Sequence, residues 1–274
     1  MLIYGLDFTS APTRRKPITC IGCQLHENEL YVQSAQNFST FSEFEDWLHS
    51  DGPWLAALDF PFGQPRALIE ALHWPTHWAD YVALIAAMGK AQFEATLRAY
   101  QAAQPVGEKL LLRQTDRRAN ARSPMMLYRT PVGKMFFQGV PRLLAAPVSI
   151  LPCRPTTDSR VVIEGYPGLI ARNLIGKRRY KSDTRTLQSA EQRVARQAIL
   201  AGLQSATYHA LYGVTLHITA QLSQQLIAEP MGDMLDALLC AMQAAWAYTQ
   251  REQGYGLTAA CDPLEGCIVD PYLT

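Results

Sequence analysis

Two short apolar runs in this chain each end on an aspartate: Tyr4-Gly5-Leu6-Asp7, followed by Phe8-Thr9-Ser10, and Leu55-Ala56-Ala57-Leu58-Asp59, followed by Phe60-Pro61. Apolar runs of this length, closed by turn-forming residues, read as buried strands. Each therefore carries a carboxylate to the point where the chain leaves a sheet. A third acidic element, Gly232-Asp233-Met234-Leu235-Asp236-Ala237, opens a late apolar stretch of helical character. Its aspartates stand at i and i+3, a spacing that puts both on one helix face.

The first strand is expected over 2–8, with a turn from Thr9 to Pro17 rich in proline, threonine and basic residues. Ile18 to Cys23 and Glu29 to Ser34 flank the polar connection His26-Glu27-Asn28 and read as a hairpin, which makes three antiparallel strands at the start. Thr40, Ser42 and Glu43 signal a helix start before Phe41, Phe44, Trp47 and Leu48, and Asp51-Gly52-Pro53 ends that helix. Trp54 to Asp59 then returns by a helical crossover and is expected parallel to the first strand. From about 64 to 146 the pattern is mainly helical, and strand character resumes only at Val161-Val162-Ile163-Glu164. Helices are expected from about Leu187 to Leu203 and from Gly232 to Gln250, with a hairpin across Asp262-Pro263-Leu264-Glu265-Gly266 in the tail.

With 48% apolar and 18% charged residues over 274 positions, the chain has the composition of an ordinary globular α/β protein with a full core. Its net charge of +1 conceals a local asymmetry. Lys109, Arg113, Arg117, Arg118, Arg122, Arg129, Lys134 and Arg142 face Asp116 alone in their stretch, and a second basic run contains Lys177, Arg178, Arg179 and Lys181. Both clusters are candidate phosphate contacts for DNA or RNA, although such runs also occur as solvated helix ends. Asp7 interrupts the first apolar run, so no signal peptide is expected, and no stretch without charges reaches membrane-spanning length. A cytoplasmic location follows as an expectation, with Cys20, Cys23, Cys153, Cys240, Cys261 and Cys267 as reduced thiols. Cys20 and Cys23 fall in a strand, where i and i+3 face opposite sides, and no second ligand pair follows them, so a zinc site is not expected there.

The ordered set Gly5-Leu6-Asp7, Asp59-Phe60-Pro61, Glu164-Gly165-Tyr166-Pro167, Asp233-Met234-Leu235-Asp236-Ala237 and Glu265-Gly266-Cys267-Ile268 resembles the domain-of-unknown-function family of predicted ribonuclease H-like nucleases. The resemblance implies an α/β fold with a ribonuclease H-like mixed sheet flanked by helices. The chain would then be one such domain over 1–274, with a large, mainly helical insertion at about 64–146. It also implies nuclease activity on DNA or RNA and metal-binding acids at Asp7, Asp59, Asp233 and Asp236. Glu164 ends a strand as Asp7 does and joins Asp7, Asp59 and Asp236 as a candidate catalytic acid. Glu43 and Glu45 lie on what reads as a solvated face and are left outside the site.

Oxygen ligands of this kind suit Mg²⁺ or Mn²⁺, and phosphodiester cleavage requires several carboxylates around such ions. Each acid also has a purely structural alternative. Asp7 and Asp59 can stabilise turns, Asp233 can cap the helix with Asp236 as a first-turn acid, and Glu164 can be an exposed acid before a turn. A protein that binds nucleic acid or serves as a scaffold, without turnover, is the competing expectation. His73, His77, His209 and His217 lack ligand or triad partners in the sequence and read as packing or surface residues.

Overall fold

In the computed structural model, which describes residues 1–274, Leu2–Asp7 (β1) pairs antiparallel with Ile18–His26 (β2), and β2 with Glu29–Phe38 (β3). Phe41–Leu48 (α1) crosses over to Trp54–Leu58 (β4), which lies parallel to β1 as expected. The helix starts where Thr40 and Glu43 form a reciprocal capping box, and it buries Phe44, Trp47 and Leu48. Arg66–Ala71 (α2), Trp78–Ala103 (α3), Gln114–Ala119 (α4) and Val132–Ala145 (α5) fill the segment before the next strand, so this stretch is mainly helical, as expected.

Ser149–Ile150 (β5) and Arg160–Glu164 (β6) follow, then Pro167–Ile175 (α6), Ala190–Leu203 (α7), Ala206–Tyr212 (α8), Thr215–His217 (β7), Ala220–Ala228 (α9) and Asp233–Thr249 (α10). The sheet order is β5-β6-β4-β1-β2-β3-β7, with all neighbours parallel except β1-β2 and β2-β3. Two cores of nearly equal size, 34 and 33 buried residues, lie on its two faces, so the central strands are apolar on both sides. One core takes α6 to α10, the other α1, α2, α3 and α5.

Three expectations need correction. The helix expected from Leu187 begins at Ala190, because Ser189 and Gln192 form a capping box there. The tail hairpin is absent: Asp262 accepts the amides of Glu265 and Gly266 through its carbonyl, which closes a turn, and only Ile268 bridges to the sheet, at Glu164. Cys261 and Cys267 are not free thiols but a disulfide, since that turn brings their Cα atoms to 5.4 Å, inside the span a disulfide needs. The other four cysteines are free and buried. Cys20 and Cys23 do face opposite cores, and burial pushes the Cys23 thiol up to about 12. No helix is long and apolar enough to cross a membrane.

Candidate metal centre

Alternation along the strands decides which acids meet. Ile3 of β1 and Leu55 and Ala57 of β4 face the α10 side, whereas Leu6, Trp54, Ala56 and Leu58 face the other core. Asp7 and Asp59 continue the first set, so both end on the α10 side. Helix α10 crosses β1, β2 and β4, and is buried nearly all round between Leu235 and Ala247. It descends directly onto Gly5, where a Cβ would overlap the backbone of Ala237 and Ala241. That close approach sets Asp236 over the strand ends, and one carboxylate oxygen from each of Asp7, Asp59 and Asp236 lies within 4.8 Å of the others.

Asp7 and Asp236 are almost completely buried, and Asp59 is partly open. Burial raises the Asp7 pKa well above the usual carboxylate range; Lys181 opposes this, and Asp236, Asp233 and Asp59 add to it. Burial and then Asp236 push Asp59 up to about 7, against the pull of Lys181. The cluster is thus an acidic pit in need of positive charge. Lys181 supplies one: its ammonium is ion-paired to Asp236 Oδ2, while the Tyr180 hydroxyl donates to Asp236 Oδ1 at 2.6 Å. Burial disfavours the Lys181 charge, but Asp236, Tyr180 and Asp7 outweigh it and hold its pKa well above the ordinary lysine value.

Asp233 stands beside the triad rather than in it. Its Oδ1 accepts from Lys16 Nζ at 2.7 Å, and Lys16 also reaches Asp183 at 2.7 Å. Its Oδ2 is buried without any hydrogen-bond partner. It does not cap the helix, since Gly232 holds that position with φ 75°, a left-handed conformation that suits glycine. Glu164 is also kept apart. It pairs in register with Leu58 and shares the face of Val162, opposite to Asp59. There it accepts from Arg113 Nη2 at 2.6 Å and Nη1 at 2.8 Å and from the Phe62 amide at 2.9 Å. Arg113 is simultaneously held by Asp116 Oδ1 at 2.7 Å, so the lone acid of the first basic stretch is a buried partner.

Of the basic candidates, only Lys181 reaches the triad. Arg122 is exposed on the rim of a cleft of about 230 Å³ that opens beside Asp59 and Asp236. Arg117 is exposed on α4, and Arg118 donates to the Leu273 carbonyl. Lys177, Arg178 and Arg179 are exposed in the turn after α6, where Arg178 Nε donates to the Ile175 carbonyl at 3.1 Å.

Sequence reasoning missed Lys16, Arg113, Asp116, Tyr180 and Asp270 as site or supporting residues. Asp270 is buried and accepts from Gln243 Nε2, Tyr212 Oη and the Tyr272 amide, which ties the tail to α10; burial pushes it up to about 6. The solitary Asp116 among eight basic residues was the one visible signal.

Three hard oxygen donors around an acidic pit, with an orphaned carboxylate oxygen on Asp233 nearby, fit a divalent cation. None of the curated proteins and none of the solved structures compared with the chain matches it. A family model described as "Protein of unknown function (DUF429)" does match, over residues 5–258, and the chain belongs to that family.

Proposed function

We propose that the protein is a metal-dependent nuclease or phosphodiesterase of ribonuclease H-like type acting on DNA or RNA. The observation that carries this is the convergence of Asp7, Asp59 and Asp236 within 4.8 Å beside an open cleft. Three antiparallel strands, a crossover helix and a fourth strand parallel to the first support the fold assignment. Asp7, Asp59 and Asp236 would hold Mg²⁺ or Mn²⁺, with Asp233 able to contribute its free oxygen. When bound, such an ion lowers the pKa of a coordinated water and stabilises charge on phosphoryl oxygens.

The chain's own groups do the rest. Asp59, the most open of the three, presents its carboxylate to the cleft. Lys181 is placed to offset charge that builds on a phosphate, and Arg122, Arg117, Lys177, Arg178 and Arg179 supply exposed charge for the backbone of a nucleic acid. Incubation with Mg²⁺ or Mn²⁺ and a panel of single-stranded, hybrid and branched substrates is expected to give cleavage that chelator stops. Asp7→Asn, which removes charge at nearly constant volume, is expected to abolish it. Equal cleavage by wild type and variant would place the activity elsewhere.

A non-catalytic binding protein is the second reading, and the Lys181–Asp236 ion pair favours it: an ammonium already in the pit partly neutralises the cluster without any metal. Absence of Mn²⁺ binding by calorimetry at pH 8, with nucleic-acid binding intact, would select that reading.

A further inference from the structure

The cleft beside the triad has a composition that the carboxylates alone do not require. Val132, Met135 and Tyr166 give it apolar surface, and Asp116 and Glu164 line it together with Arg122 at the rim. The Tyr166 ring is half-buried and held by Arg172, whose Nη2 donates to its hydroxyl at 3.2 Å. All five N–H groups of Arg113 are taken up by Asp116, Glu164 and the Glu265 carbonyl. The Asp116 and Glu164 oxygens are thus engaged at the floor of the cleft, and its free polar groups stand at the rim, on exposed Arg122 and Thr130.

Its volume of about 230 Å³ is several times the roughly 30 Å³ share of one water, yet below the roughly 300–1,000 Å³ of pockets that hold drug-sized ligands. That is room for a single ring system. A fixed aromatic face, apolar walls and polar side chains at the rim match a nucleobase, and Asp59 and Asp236 at the same cleft put its phosphate at the acidic pit. A base that stays paired and stacked in a duplex cannot enter such a pocket.

We propose that this cleft holds one unpaired nucleobase whose phosphate lies at Asp7, Asp59 and Asp236, so that the substrate class is a single-stranded or flipped-out nucleotide rather than continuous duplex. This rests on the nuclease reading for the phosphate position, but the pocket is tested by binding alone.

The test uses the full chain and three probes carrying 2-aminopurine: a single-stranded oligonucleotide, the duplex of the same sequence, and the free mononucleotide. Fluorescence titrations with Ca²⁺ present are run on wild type and on Thr130→Trp, which fills the cleft from an exposed rim position. Val132→Phe is a second filler, and thermal melting with Mn²⁺ titration verifies that each variant is folded with its acidic pit intact. The single strand is expected to bind at least tenfold more tightly than the duplex, and both fillers to weaken it at least tenfold with Mn²⁺ affinity unchanged. A mononucleotide that binds as tightly as the strand would support the pocket and assign it to free nucleotides. Equal affinity for strand and duplex, or folded fillers that bind the strand as wild type does, would overturn it. Binding as expected without cleavage on Mn²⁺ addition would retire the nuclease reading and keep the pocket, whereas filler-insensitive cleavage of duplex would do the reverse.

Discussion

Lys181 is the residue on which the state of the acidic pit turns. Its ammonium pairs with Asp236 inside a group of three carboxylates, so a divalent cation entering the pit has to compete with it. Lys181→Met keeps most of the stem's packing and removes the charge. It is expected to lower the stability of the metal-free protein by about 1–2 kcal/mol, because Asp236 is left buried with less compensation. The same change should raise Mn²⁺ affinity several-fold at pH 8, read by calorimetry. Asp59 sets the response to pH. Its folded pKa of about 7 lies above the unfolded value, so the native state binds the extra proton and stability falls as pH rises through 7. For one such group the loss between pH 6 and pH 8 is about 1.4 kcal/mol. Asp270, raised to about 6, adds in the same direction at the lower end of that window. Urea unfolding of the metal-free protein at pH 6 and 8 checks this, and Asp59→Asn should flatten the difference.

At the scale of elements, the packing of α10 on β1 brings together acids that are 229 positions apart in sequence, Asp7 and Asp236. Gly5 permits it. Gly5→Ala places a methyl group against the helix backbone at Ala237 and Ala241, which cannot rotate away. The expected cost is about 3 kcal/mol or more, and Mn²⁺ binding should weaken along with it as Asp236 is lifted from the strand ends; denaturant unfolding and a Mn²⁺ titration test the two together. The strands carrying Asp7 and Asp59, and the helix carrying Asp236, were readable because each apolar run is bounded by an acid at its end. Glu164 looked equivalent to Asp7, and the reason it is not lies in register. Its strand is apolar on both faces, so no alternation in Val161-Val162-Ile163 reveals that Glu164 shares the face of Leu58. Lys181 looked like the end of an exposed basic run, since nothing local marks the residue at which that run turns inward. The strands β5 and β7 span two and three residues, too few to leave a pattern.

Over the whole molecule, the exposed basic residues are not equivalent. Arg122 lines the cleft and Arg117 is exposed, whereas Arg118 is engaged by the Leu273 carbonyl. Replacing Arg117 and Arg122 by alanine is expected to reduce the salt dependence of single-strand binding by about 0.7 in log–log slope for each phosphate that these arginines neutralise. Arg118→Ala should leave that slope unchanged and instead lower the melting temperature. Filter binding between 50 and 200 mM salt, roughly the range over which such slopes are read, separates the two effects.

The placement of α10 also has a meaning in time. The strands β1 to β4 occupy the first 58 residues and can pair with one another as soon as they are made, but the third acid of the pit is carried by a helix that begins only at residue 233. A growing chain therefore passes through most of its synthesis with two aspartates at open strand ends and no enclosed place for an ion. The enclosed pit is withheld from a partly made polypeptide and completed by the arrival of one late helix against one glycine.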